Sequence, residues 1–261
     1  MVSFYHRVCD RHPNDWSLST AQFDQHLDHY QENFELTDLA RVQHSVRHGS
    51  PDKPLMSVTF DDGYADNLRH AIPTLLARRI PCTYFVSTDH IRHRRPFPHD
   101  LTAGRPLPVH SIAQLRCMAE AGIEIGGHTR DHFDFSRTVD PSTLQDQIGD
   151  DRRRLQQMVG QEIRYFAFPF GLKPQLRAAA IEAVIAAGYQ GFCSAFGGYN
   201  VVGGDAYHIR RFHGDPDLAR LKNWTSYDAT KLKKEPRLNY RSPHPGDGFE
   251  SSRTPSELSS S

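Results

Sequence analysis

Short apolar runs alternate along the chain with longer stretches in which apolar residues recur every three or four positions. The runs are VSFYHRV (2–8), LMSVTF (55–60), CTYFVS (82–87), IEIGG (123–127), RYFAF (164–168), GFCSAF (191–196) and YHIRRF (207–212). Five to seven residues long and rich in β-branched and aromatic types, they read as buried strands. Helical patterns lie between them. STAQFDQHLDHYQENF (19–34) opens on a Ser/Thr cap and sets Phe23, Leu27 and Tyr30 on one face. The stretch 64–80 carries Pro73 inside it, which predicts a kink. The stretch 111–122 starts on Ser and ends on Gly, while 141–160 and 174–188 place Pro near the start and Gly at the end. A last short helix is expected over 215–224. Strand, helix, strand repeated six or seven times implies parallel strands with crossover helices. Two architectures satisfy it: an open doubly wound sheet, or a closed, irregular α/β barrel. No G-x-G-x-x-G or Walker loop follows the first strand, which weakens the nucleotide-binding options.

Two segments fall outside this rhythm. Residues 92–110 form a long Pro/Arg/His-rich connection, placed like a lid or a substrate edge. From about 229 to 261 Pro, Ser, Gly and charge dominate, so residues 1–228 are expected to form the domain and the rest a disordered polar tail. That division accounts for a hydrophobic fraction of 38% in a chain of 261 residues. Lys+Arg and Asp+Glu are both 31, so no global field points to nucleic acid or an anionic membrane. Cys9, Cys82, Cys117 and Cys193 are far apart and form no C-x-x-C pair, so buried free thiols are expected. No apolar window is long enough to span a membrane and no signal-peptide pattern opens the chain; a cytoplasmic location is the expectation, a mis-assigned start codon its alternative.

The chemistry gathers at the carboxyl ends of the predicted strands. Asp61 and Asp62 follow SVTF, His128 follows IEIGG and is joined by His132 in HTRDH, Pro169-Phe170-Gly171 follows RYFAF, and His6 falls late in the first strand. In a parallel α/β fold these ends converge on one rim. Two adjacent aspartates repel unless a positive partner sits between them. Two histidines four residues apart, on one face of a helical turn, would share a cation with one aspartate and leave the other free as a base.

T-F-D-D-G, H-T-x-x-H and F-A-F-P-F-G together resemble the signatures of the polysaccharide deacetylases, the nodulation-protein or chitin-deacetylase type of carbohydrate esterase family four. The resemblance runs over roughly residues 2–215. It implies an irregular (β/α) barrel of about seven strands. It implies Asp61 as catalytic base, Asp62, His128 and His132 as ligands of a divalent metal, commonly zinc with Co²⁺ or Ni²⁺ as options, and the Phe170 N–H as a contributor to oxyanion binding. The late L-x-H histidine of many members has no good match: His208 and His213 in YHIRRFHGD follow no such pattern. VSFYHRV is similar instead to a subgroup that opens with a Tyr-His strand, which assigns His6 as general acid; that subgroup includes deacetylases of exported biofilm polysaccharides. The family's base-orienting arginine has two candidates, Arg164 and Arg211. Trp16, Trp224 and Tyr64 could stack on a sugar face, with packing the expected role of Trp224.

These assignments describe a metal-dependent hydrolase that removes N-acetyl groups from an amino-sugar polysaccharide or oligosaccharide, releasing acetate. Hydrolysis of another amide or of an O-acetyl ester is the alternative within enzymes, and a catalytically silent carbohydrate-binding protein the alternative outside them. The sequence is silent on oligomeric state and on the sugar, its linkage and its length.

Overall fold

The computed structural model describes residues 1–49, 52–232 and 238–243. Of nine strands in the sheet, eight form its continuous run: β1 (Val2–Tyr5), β2 (Leu55–Phe60), β3 (Cys82–Val86), β4 (Glu124–Gly127), β5 (Tyr165–Ala167), β6 (Gly191–Cys193), β7 (His208–Ile209) and β8 (Phe212–His213), while Glu35–Leu36 pairs beside β2. The order of the eight is β7-β6-β5-β4-β3-β2-β1-β8, and every ladder is parallel. The two edge strands are neighbours in the chain, separated only by Arg210 and Arg211. One stretch, 208–213, thus pairs with β6 at its start and with β1 at its end, bringing the edges together into an irregular (β/α) barrel. Counted as one broken strand, it gives the seven expected.

All six residues of β2 are buried, as a parallel strand covered on both faces requires. Helix α1 (Thr20–Asn33) begins with a reciprocal Ser19–Gln22 capping box and buries Phe23, Leu27 and Tyr30. The region 141–159 is helical throughout, with a six-residue π stretch at Gln145–Asp150. Three details differ from the sequence expectation. Helix α2 (Leu39–His48), capped by Asp38, was missed: its buried face mixes Leu39, Val42 and Val46 with Gln43 and Ser45, and Arg41, His44, Arg47 and His48 fill its open face. The stretch 64–80 is not one kinked helix but a 3₁₀ turn (Ala65–Leu68) followed by α3 (Ala71–Ala77). Pro73 sits in the first turn of α3, where its missing N–H costs nothing. Of the cysteines, all free, only Cys82 and Cys193 are buried; Cys9 is half-buried and Cys117 exposed on the outside of α4 (Ile112–Glu120).

Within the expected tail, Ala229–Leu232 is helical, and Tyr240 hydrogen-bonds Asp205 and packs its ring 5.6 Å from that of Phe192. Residues 233–237 and 244–261 lie outside the described residues. Among the described residues no helix is long and apolar enough to cross a membrane.

Candidate active site

The strand register delivers the candidate residues to one place. Tyr5 pairs with Phe60, and the Asp61 N–H donates to Tyr5 O at 2.8 Å, so His6 and the aspartate pair leave adjacent strands at the same level. The His128 N–H continues the β3–β4 ladder onto Val86 O at 3.1 Å. Gly127 just before it admits no side chain, because a Cβ there would lie 2.4 Å from the Tyr189 hydroxyl. At the end of β5, Phe170 takes a left-handed φ of 61°, and Gly171 follows at 60° with only 2.8 Å from its Cβ position to Ala195 N. Asp62, Thr129 and His132 are also left-handed, at 73°, 63° and 60°. Four non-glycine residues in that region around one cavity mark backbone bent to aim side chains.

The cavity holds about 390 Å³ and is lined by both aspartates, His6, His128, His132 and Arg211, with the apolar faces of Phe4, Trp16, Phe170 and Leu172. A second cavity of about 440 Å³ surrounds the amino ends of β1 and β2, but no carboxylate lines it.

Asp62, His128 and His132 form one cluster. His128 Nε2 and His132 Nε2 lie 3.5 and 3.4 Å from the same Asp62 oxygen, Oδ1, and the three ligand atoms are all within 4.8 Å of one another. The segment that places them is a turn, not the helical turn expected. Thr129 and His132 adopt left-handed φ, and Thr129 Oγ1 accepts from the Phe133 N–H at 2.8 Å to hold it. His128 Nδ1–H donates to Ala167 O at 2.7 Å, which leaves the Nε2 lone pair facing the carboxylate. Burial pushes His132 down to about 4 despite the opposing charge of Asp62, so its imidazole is neutral near pH 7, the state that ligates. Asp62 Oδ1 is buried and has no hydrogen-bond partner. Two imidazole nitrogens converging on an orphaned buried carboxylate oxygen, that of His128 with its lone pair turned toward it, fit a divalent cation. A donor set of two imidazoles and one carboxylate suits zinc and neighbouring first-row ions.

Asp61 is held quite differently. Arg211 sits in the break between β7 and β8, and its guanidinium points inward. Nη1 and Nη2 donate to Asp61 Oδ1 and Oδ2 at 2.7 and 2.8 Å, while Nε donates to Ser194 O and Nη1 also to Thr59 Oγ1. The Phe4 ring lies 4.7 Å beneath it. Burial raises the Asp61 carboxyl, but Arg211, His128 and His6 together outweigh that and leave it below the usual carboxylate range. Arg211 is therefore the arginine that orients Asp61. Arg164 is not: it precedes β5 at the amino end of the barrel, and its Nε donates to Glu124 Oε1, at the start of β4, at 2.8 Å. Family spacing favoured it, but strand polarity carries it away from the rim.

His6 faces the same cavity with Nδ1 buried and unpartnered, between Trp16 at 5.0 Å and His213 at 5.8 Å. Burial lowers its pKa, with Asp62 and Asp61 opposing. His208 is remote, buried and bonded to Ser194 Oγ at 2.7 Å, whereas His213 lines the cavity. Tyr64 does not stack on anything in the cavity. It is fully buried and its hydroxyl donates to Asp100. Trp224 lies parallel to Phe212 and packs. Trp16 is 48% exposed at the cavity mouth, free to meet a ligand. Five lining residues were not foreseen as site residues: Phe4, Phe168 and Ala195 at strand ends, His99 in the 92–110 connection, and Leu172 just past the PFG turn.

With this geometry in place, the comparisons with known proteins are decisive on one point. Residues 48–192, more than half of the chain, match the polysaccharide deacetylase family. The chain belongs to that family. This polysaccharide deacetylase family member is 25% identical over 191 residues to a putative polysaccharide deacetylase, YxkH, of Bacillus subtilis strain 168. The match covers 72% of the present chain and 62% of that relative's length. Among solved structures it resembles IcaB from Ammonifex degensii, with a TM-score of 0.71 and 25% identity over 86% of this chain and 95% of that one. It also resembles the Streptococcus pyogenes deacetylase PplD, solved in complex with acetate, with a TM-score of 0.71 and 18% identity over 87% and 97% of the two chains; at that identity the likeness concerns the fold.

Proposed function

We propose that the protein is a metal-dependent hydrolase that removes N-acetyl groups from an amino-sugar polysaccharide or oligosaccharide and releases acetate. The observation that carries this reading is the division of labour between neighbouring aspartates. Asp62 faces two imidazole nitrogens with an oxygen that accepts no hydrogen bond, and Asp61 is held below the usual carboxylate range and oriented by Arg211. Membership of the polysaccharide deacetylase family supports the acetyl chemistry.

In this mechanism Asp62, His128 and His132 hold the cation. When bound, a zinc-class ion supplies Lewis acidity, polarising the acetamide carbonyl and acidifying water to a pKa of roughly 7. Asp61 accepts the proton of the attacking water. Its two oxygens keep free lone pairs beyond those engaged by Arg211, and the bidentate grip fixes which way they point. The Phe170 N–H has no partner among the described residues and lies on the cavity rim. It donates to the carbonyl oxygen as negative charge grows there. His6, across the cavity, donates a proton to the departing amine, which cannot leave as an anion. Trp16, Phe170 and Leu172 offer apolar faces to the pyranose rings.

The test is acetate release from N-acetylglucosamine oligomers by zinc-loaded protein, with and without chelator. Chelator-sensitive release supports the reading; release undiminished after complete metal removal would overturn it. A parallel set of O-acetylated sugars decides between amide and ester hydrolysis.

A further inference from the structure

The 92–110 connection brings a relay to the cavity wall that the mechanism above does not use. Tyr64 is fully buried, and its hydroxyl lies 2.9 Å from Asp100 Oδ2 and 2.9 Å from His99 Nε2. A phenol has one proton, and it is directed to the Asp100 carboxylate. The second contact must then run the other way, with His99 Nε2–H donating to the phenol oxygen. In a neutral imidazole this contact selects the Nε2–H tautomer, with Nδ1 as the acceptor. His99 is 43% exposed, lines the cavity, and its Nδ1 has no partner among the described residues. The ring is also held in place. Phe97, fully buried, stacks on it at 5.5 Å and 16°, and meets the His132 ring edge-on at 5.4 Å.

The relay is anchored beyond the loop itself. Asn14 Nδ2 donates to Asp100 Oδ1 at 3.4 Å, and Asn14 Oδ1 accepts from the Trp16 N–H at 3.1 Å. Arg105 Nη1 reaches Pro13 O at 3.2 Å. The Trp16 rim and the His99 rim are thereby tied to each other across the mouth. Among the described lining residues the only Arg or Lys is Arg211, which is buried and committed to Asp61. The mouth thus presents apolar faces and an acceptor, with no free arginine or lysine for a uronate or phosphate.

Resting on the deacetylase reading, we propose that His99 Nδ1 is a substrate-contacting specificity group. It accepts a hydrogen bond from a hydroxyl of a neutral sugar unit flanking the one that carries the scissile acetamide. Tyr64 and Asp100 act through it as positioning residues.

The experiment is steady-state deacetylation of tetrameric N-acetylglucosamine by zinc-loaded protein. His99→Ala is expected to raise KM about 3- to 10-fold, the worth of one neutral hydrogen bond, with kcat within about twofold. His99→Asn puts an amide oxygen near the position of Nδ1 and is expected to restore most of the KM; His99→Gln reaches instead to the Nε2 position and is not. A wild-type KM in His99→Ala, equal rescue by Asn and Gln, or a fall in kcat with loss of bound zinc would each overturn the proposal while acetate release by the wild type stands. A wild-type protein that releases no acetate overturns the deacetylase reading beneath it, and the subsite with it.

Discussion

Asp61 and Asp62 are consecutive, equally buried, and treated in opposite ways by the fold. On the Asp61 side every charge is answered by protein: a bidentate guanidinium, itself fixed by Ser194, Thr59 and the Phe4 ring. On the Asp62 side nothing is answered. One carboxylate oxygen lacks any hydrogen bond, two imidazole nitrogens face it from 3.5 and 3.4 Å, and the backbone bends into left-handed conformations to hold them there. A buried polar atom without a partner carries a desolvation penalty of about 1–3 kcal/mol, more when charged. A fold that satisfies one aspartate so fully and leaves its neighbour open suits the proposed roles, an external cation at the second and a proton acceptor at the first.

The largest expected effect separates the two walls. Asp61→Asn should lower acetate release by at least about 10³-fold while zinc content stays at one ion per chain, since a general base and its charge are both lost. Asp62→Asn should lose the zinc. If Asp61→Asn also sheds metal, as read by atomic absorption, the division between the walls is wrong. Next, Arg211→Met should destabilise the protein by about 3–5 kcal/mol, because it strands a buried carboxylate. An unchanged unfolding midpoint in denaturant would show that Asp61 finds another partner. His6→Ala should slow turnover about 10²–10⁴-fold with zinc retained, and a wild-type rate would remove it as the acid.

Much of this was legible in the sequence, for a reason specific to parallel α/β folds. Apolar runs give the strands, strand polarity puts their carboxyl ends on one rim, and any charged residue just past such a run is a site candidate. Asp61, Asp62 and His128 obey that rule, and Phe170 was found by its place in the same position past β5. What the sequence hid depends on the third dimension. Arg164 and Arg211 are equally plausible as letters; only the break between β7 and β8 shows which guanidinium turns into the barrel. Tyr64 was a candidate sugar platform by residue type, but the 92–110 connection covers it: Ala65 N–H donates to Pro108 O and His110 N–H to Gly63 O, both at 2.9 Å. His99 had no signal beyond membership of a loop rich in histidine. The HTRDH spacing was read as a helical turn, yet two left-handed residues achieve the same convergence.

Adding the cation should stabilise the Asp62 wall alone. At 100–1,000 times its dissociation constant a native-state ligand contributes about 2.7–4 kcal/mol, so chelation should lower Tm by several degrees in the wild type and by nothing in Asp62→Asn. An equal loss in both would place the stabilising ion elsewhere.

An effect of pH, spread over two histidines, serves as the control for both walls. His26 and His110 lie away from them, buried and hydrogen-bonded to Tyr5 and Tyr84, and burial pushes each from 6.5 down to about 4. Between those values the unfolded chain binds the protons that the folded chain refuses. Stability is then greatest above about pH 6.5 and falls as pH drops toward 4, by at most about 3 kcal/mol for each histidine. Calorimetry on metal-free Asp62→Asn protein should therefore still show Tm falling by a few degrees between pH 6.5 and 5. His26→Gln should flatten that slope without changing zinc content. A flat profile in the parent variant would mean that these imidazoles reach water, and that acid sensitivity in the wild type comes from the metal wall instead.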